Sequence, residues 1–277
     1  MTSQLNPLTE LLFVIARKLP KRIRRPLIGY YLFSQSLISR IKENGEHSDF
    51  PQILDSSKKS LRKSVPFDTS EIVNRYQLKI NSVCHVGAHK GQEISSYLQL
   101  GIIFAVFIEP VRENYVVLRD LVRGIPNYKA IQVAVGNFEG IVEINLASND
   151  LQSSSILQPH LHLREAPKVS FDKIIESNIS TLDKILSDSE SWDLVVIDVQ
   201  GYELEVLEGA IRTLARCNYV FIEVNRAETY RNCAQINDID IFLLNLGFQR
   251  VLTKWWSSWG DAFYVRSTLL PLGFSTK

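Results

Sequence analysis

From about residue 67 onward, short apolar runs bounded by turn residues alternate with longer amphipathic stretches. The short runs, rich in Val, Ile and Phe, read as buried strands; the stretches with apolar positions every three or four residues read as helices. Strands are thus predicted over 82–86, 104–108, 130–135, 141–146, 193–198, 218–224, 247–253 and 261–266. Helices are predicted over 91–99, 111–123, 180–187, 202–215 and 236–245, with Asp68-Thr69-Ser70-Glu71 supplying cap chemistry for an earlier one. Such alternation implies an α/β fold, a mostly parallel sheet covered on both faces. The ending is different. The last two strands have no helix between them, only a loop containing Ser257, Ser258 and Gly260, and should pair as a C-terminal antiparallel hairpin.

The first 65 residues follow another pattern. Leu8, Leu11, Leu12, Ile15 and Ala16 recur at helical spacing, a basic cluster runs from Arg17 to Arg25, and a second apolar stretch spans 27–41. Polar residues then accumulate over 43–64. The expected organisation is therefore a basic helical N-terminal extension and linker over 1–65, followed by an α/β domain over 66–277. The extension reads as a helical cap on the domain, or as a peripheral membrane contact through residues 8–41.

Composition narrows the function. The 31 Lys and Arg residues balance 30 Asp and Glu, which argues against a nucleic-acid binder. Cys84, Cys217 and Cys233 are too scattered for a disulfide framework or a metal motif, so a reducing cytoplasm is expected. No stretch reads as membrane-spanning and no secretory pattern opens the chain. A homo-oligomer is left open.

A parallel sheet binds ligands outside the carboxyl ends of its strands, so the residues at those ends carry the chemistry. The first strand leads into His85-Val86-Gly87-Ala88-His89-Lys90-Gly91-Gln92, a turn in which glycine permits positive φ and close approach of a ligand. Amides opening the next helix would face that ligand. The second strand ends in Glu109-Pro110, with Glu109 placed to accept hydrogen bonds from a ribose diol. Gly136 and Asn137 follow the third strand. Further on, Asp198-Val199-Gln200-Gly201-Tyr202-Glu203 and Glu223-Val224-Asn225 end two apolar runs. A carboxylate directly after such a run is costly without a partner, so these positions invite a functional reading.

The glycine turn, Ile108-Glu109-Pro110, Ala134-Val135-Gly136, Ser153-Ser154-Ser155 and above all Ile197-Asp198-Val199-Gln200-Gly201-Tyr202-Glu203 resemble, in order and spacing, the FkbM family of S-adenosylmethionine-dependent methyltransferases. The resemblance covers roughly residues 80–266. It implies a class I methyltransferase, Rossmann-like fold and methyl transfer to a hydroxyl of a sugar, glycan or secondary metabolite. It also implies that Gly87, Ala88 and Gly91 line the methionine and ribose region, that Glu109 holds the ribose, and that Asp198 sits beside the sulfonium and the acceptor. His85 stands where such enzymes carry an acid. A neutral imidazole there gives up the charge assistance a carboxylate offers the cofactor's ammonium, unless another acid replaces it.

Methyl transfer to a hydroxyl requires alignment and removal of a proton. Asp198 is the first candidate base, or else an orienting residue. Glu203 is a second candidate, or a favourable charge at a helix start. Glu223 and Asn225 could join Asp198 around Mg²⁺, although nothing in the sequence demands a metal. His160 and His162, in the loop after the serine triplet, are further base candidates or surface residues. Ser154 and Ser155 are potential donors or ordinary turn residues. Trp255, Trp256 and Trp259 could stack on a sugar or serve packing. Two other readings remain at this stage. One is an NAD(P)-dependent oxidoreductase, against which the turn is Gly-x-x-x-Gly. The other is a catalytically degenerate, membrane-associated binding protein.

Overall fold

The computed structural model describes residues 73, 78–188 and 190–270. All lie in the second of the chain's two compact units, Ser64–Lys277. The basic segment 8–41, the polar stretch 43–64 and the cap residues Asp68–Glu71 fall outside the described residues.

The chain order is β1 (Ser82–Val86), α1 (Ile94–Gln99), β2 (Phe104–Ile108), α2 (Arg112–Val122), β3 (Tyr128–Ile131), β4 (Ala134–Val135), β5 (Gly140–Leu146), α3 (His162–Glu165) and β6 (Lys173–Ser180). It continues with α4 (Leu182–Ile185), β7 (Leu194–Ile197), α5 (Glu203–Glu208), α6 (Ile211–Ala215), β8 (Tyr219–Asn225), α7 (Ile236–Asn245), β9 (Phe248–Trp255) and β10 (Trp259–Arg266). Seven strands form the main sheet in the order β3-β2-β1-β7-β8-β10-β9. The first five of these run parallel, and β10 is antiparallel to both of its neighbours. This is the class I methyltransferase layout, with the last strand inserted beside β8 and the hairpin partner β9 at the edge.

Period-two alternation divides the sheet's side chains between two cores. One face carries Cys84, Val86, Val106, Ile108, Val195, Ile197, Val220 and Ile222, packed against Val206, Leu207 and Leu214 of α5 and α6 and Ile239 and Leu243 of α7. The other carries Val83, Ala105, Phe107, Val196, Phe221 and Phe263, packed against Ile94 and Tyr97 of α1 and Leu118 and Val122 of α2. All three cysteines are free and buried.

Five features depart from the sequence pattern. The predicted strand 130–135 breaks in two: β3 stays in the main sheet while β4 pairs with β6 in a separate three-stranded sheet, β4-β6-β5. The strand predicted over 141–146 belongs to that same small sheet. Strand β6 had no prediction. The helix predicted over 202–215 divides around Gly209, where a β-carbon would collide with the Gly136 carbonyl; the close backbone approach interrupts the helix. At the hairpin, Trp255 and Trp259 lie in strands, and Gly260 belongs to β10. Among the described residues no helix is long and apolar enough to cross a membrane.

Candidate active site

Register across the main sheet builds the site. His85 of β1 pairs with Phe107 of β2 and Val196 of β7; Val196 pairs with Phe221 of β8, and Phe221 with Phe263 of β10. These five positions form a line across one face. Two residues further on, the same face presents Gly87, Glu109, Asp198, Glu223 and Asp261. Asp261 and Glu223 are themselves a register pair. The hydrogen bonds Gly87 N to Ile108 O (2.9 Å), Asp198 N to Val86 O (3.0 Å) and Glu109 N to Ile131 O (3.1 Å) carry the ladder past the strand ends. An apolar line is thus followed directly by a line of carboxylates around one glycine.

Gly87 has φ +79°, and a β-carbon there would run into the carbonyl oxygen of Asp198. Glycine is required on both counts. The amides of Gly87 and Ala88 both bond to the Ile108 carbonyl, at 2.9 and 3.1 Å. The next amide, His89 N, donates to Glu109 Oε2 (2.9 Å), while Val111 N donates to Oε1 (2.9 Å). Helix α1 begins only at Ile94. The turn therefore spends its first amides on closing itself and on fixing Glu109. Burial pushes the Glu109 carboxyl up to about 7, against the lowering effect of these donors. Gly91 is needed because a side chain would meet Ile94 and Leu118.

The turn after β7 is braced from several sides. Gln200, at φ +59°, directs its amide nitrogen to Asp198 Oδ1 and to Glu223 Oε2, both 2.8 Å away. The Tyr230 hydroxyl reaches Gln200 Oε1 at 3.0 Å, and Ser155 Oγ donates to the Gln200 carbonyl at 2.7 Å. Glu203 Oε1 accepts from Val199 N (3.1 Å) and Gly201 N (3.0 Å). Burial raises the Asp198 carboxyl; the bonds from Gln200 oppose the rise. Glu223 is raised well above the carboxylate range by burial and by the charges of Asp198, Glu203 and Asp261. Glu203 is pushed to about 8, chiefly by burial.

The sequence candidates separate into groups. Gly87, Glu109, Asp198 and Glu223 come together, and Ala88 lies buried in the turn beside them. His85 belongs to the apolar line: it is buried, with Nδ1 3.1 Å from the Tyr97 hydroxyl and its ring 6.2 Å from that of Phe107. Burial lowers it to about 3, so it is neutral and lies one line behind the carboxylates. Pro110 separates Glu109 from the amide of Val111 that Glu109 accepts. Ser155 and Glu203 hold the Gln200 turn in place, which gives Glu203 an orienting task. Gly136 and Asn137 belong elsewhere: Gly136 packs on Ile179 and Tyr202, and Asn137 bonds Glu208 at 2.6 Å. His160 is engaged with Glu228, with Nδ1 3.1 Å from the carbonyl and 3.5 Å from Oε2. His162 packs on Phe171 and Tyr230. For the metal alternative, Gln200 bridges Asp198 and Glu223, and among the described residues no three His, Cys, Asp or Glu side chains group to hold an ion.

Three residues escaped the sequence reading. Glu93, just ahead of α1, is pushed to about 8 by burial, with the Asp198 charge adding to the rise. It had no role in the sequence reading; its position two residues after Gly91 was the available signal. Asp261 read simply as the first residue of a hairpin strand, and Tyr230 was given no role. The Asp261 carboxyl is raised to about 7 by burial and then by Asp198.

A buried line of acids suits a ligand that carries positive charge, and Glu109 suits a diol. A Methyltransferase FkbM domain model matches residues 85–250 of the chain. A curated relative, the 2-O-methyltransferase NoeI of Sinorhizobium fredii (strain NBRC 101917 / NGR234), is 28% identical over 157 residues, which cover 53% of this chain and 65% of that protein. The alignment thus spans just under two thirds of the relative's length. Similar solved structures include magnesium protoporphyrin IX methyltransferase (ChlM) from Synechocystis PCC 6803 with bound SAM, at TM-score 0.43, 11% identity and coverage of 96% of this chain and 100% of that one. Another is a S-adenosylmethionine-dependent methyltransferase from Clostridium acetobutylicum ATCC 824, at TM-score 0.44, 8% identity and coverage of 75% and 95%. With overlaps this loose, the fold assignment rests on the strand order and register described above. The family match covers more than half of the sequence and includes the glycine turn, Glu109, Asp198 and Glu223: the chain belongs to the FkbM methyltransferase family.

Proposed function

We propose that the chain is a S-adenosylmethionine-dependent O-methyltransferase acting on a hydroxyl of a sugar, glycan or secondary metabolite. The observation that carries this reading is the line of Glu109, Asp198, Glu223 and Asp261 around Gly87. When bound, the cofactor supplies an electrophilic methyl group on a cationic sulfur. Gly87 lets the turn pack directly on the Asp198 backbone and so sets Asp198 against the glycine turn. Glu109, held by two amides, has lone pairs left for the ribose hydroxyls. Glu93 and Asp198 are acids raised by burial that a cationic cofactor would draw into their charged forms, and Glu93 replaces the acid that His85 does not supply. Asp198 takes the acceptor's hydroxyl proton; the Gln200 amide, shared with Glu223, donates to Asp198 Oδ1 and holds that carboxylate in place to accept it.

The same features disfavour a pyrophosphate-bearing nicotinamide cofactor. Such a ligand needs free amides at a glycine turn and a helix start. Here the amides of Gly87, Ala88 and His89 are already engaged, and the neighbouring groups are acids. Calorimetric titration with S-adenosylhomocysteine tests the reading. Micromolar binding by the wild type, weakened at least a hundredfold in Glu109→Ala, is expected. A folded wild type that ignores S-adenosylhomocysteine but is stabilised by NADH would reverse it.

A further inference from the structure

Beyond Glu223 the same face continues to Asn225, which pairs in register with Trp259. Asn225 is only 1% exposed, yet neither its Oδ1 nor its Nδ2 has a hydrogen-bond partner. Asp261, diagonally adjacent on β10, is 3% exposed, and its Oδ2 also lacks a partner. Its carboxylate is additionally contacted by the Trp256 side chain. A buried polar group left unpaired costs roughly 1–3 kcal/mol. Three such atoms on two neighbouring residues, beside Glu223, are a cost that a ligand would relieve.

We propose that Asn225 and Asp261 form the subsite that positions the acceptor, taking a pair of hydroxyl groups from a neutral polyol. This rests on the methyl-transfer reading of the same site. A carboxamide presents both a donor and an acceptor, and a carboxylate presents acceptors. Alcohols both donate and accept, so adjacent hydroxyls satisfy Asn225 Oδ1, Asn225 Nδ2 and Asp261 Oδ2 together. A phosphate or carboxylate acceptor would meet Asp261, Glu223 and Asp198 with the wrong sign of charge. An ammonium would suit the acids but oppose the Asn225 Nδ2–H donors. Diagonal cross-strand neighbours stand roughly 7 Å apart, a gap that one ligand group bonded to both sides can fill. The hairpin tip is itself fixed, since Ser258 Oγ lies 2.9 Å from Thr229 Oγ1 and 2.7 Å from Glu165 Oε2. Both residues are positioning residues; the proton is handled by Asp198 and Glu223.

The test uses the full chain with glycerol as the polyol probe. Crystals grown with and without S-adenosylhomocysteine are soaked in glycerol, and labelled methyl transfer to a panel of neutral methyl glycosides is measured alongside. In the wild type, glycerol hydroxyls should bond Asn225 and Asp261; Asn225→Leu and Asp261→Asn should each lose the molecule, and Asn225→Leu should change S-adenosylhomocysteine affinity less than twofold. For any glycoside methylated, Asn225→Leu should raise the acceptor KM at least tenfold and leave the KM for S-adenosylmethionine unchanged. Water alone at these atoms in glycerol-soaked wild type, or an equal loss for both substrates in the variants, overturns the proposal. Failure of the wild type to bind S-adenosylhomocysteine rejects the cofactor reading instead, and the cofactor-free soak still decides the subsite.

Discussion

Two lines of residues on one sheet face, a single pleat apart, have opposite chemistry. His85, Phe107, Val196, Phe221 and Phe263 are a packed layer with a neutral imidazole in it; Glu109, Asp198, Glu223 and Asp261 are acids in line with Gly87, buried but for the half-buried Asp198. The first line is explained by the core it completes. The second is not, because burying several carboxylates together works against the folded state. The protein's stability and its chemistry therefore separate over a distance of two residues along each strand.

Substitutions can sharpen that contrast. The largest effect is expected from Phe107→Ala, which empties a fully buried site in the apolar line and should cost about 3–5 kcal/mol of unfolding free energy, read by chemical denaturation. The acid line should respond to pH instead. Glu109 and Asp261 titrate near 7 and Glu203 near 8 when folded, above the ordinary values of 4.5, 3.8 and 4.5. The folded chain thus holds more protons than the unfolded one between those limits. Stability is fully present below about pH 4, where both states are protonated at these groups, and is lost as pH rises through 7 to 8. Thermal melts of the ligand-free protein should fall between pH 5.5 and 8.5, by about 1.4 kcal/mol of stability per pH unit for each of these groups still protonated in the folded state, and Glu109→Gln with Asp261→Asn should flatten the slope. A flat wild-type profile would mean that these acids are solvated. The smallest effect belongs to His160→Ala, outside both lines: less than about 0.5 kcal/mol in a thermal melt, and methyl transfer within twofold.

Much of this was legible in the chain. Strands over 82–86 and 104–108 were readable to the residue, because consecutive β-branched and aromatic residues are bounded by turn chemistry. Glu109, Asp198 and Glu223 were visible for the same reason: each follows such a run. What escaped depended on partners distant in sequence. Strand β6, Lys-Ile-Ile-Glu-Ser-Asn-Ile-Ser, has mostly exposed or half-buried positions and no clean alternation to read. The division of α5 from α6 is set by the Gly136 backbone, more than 60 positions away, counting 209 − 136 = 73. His85 looked like a strand-end residue, and only the register shows that it belongs to the apolar line. Asp261 gained its meaning from Glu223 across the ladder.

The insertion of β10 between β8 and β9 has a consequence for how the chain is made. Strand β9 is attached to the sheet only through β10, which is synthesised after it. During synthesis the parallel strands β1, β2, β3, β7 and β8 can already assemble while β8 still has an open edge. That edge exposes Phe221 and the unpaired Glu223 until the final strand emerges and slides in. The nascent domain should therefore pass through a stage that is foldable in outline but still has a sticky side, and delayed emergence of β10 would favour aggregation over completion.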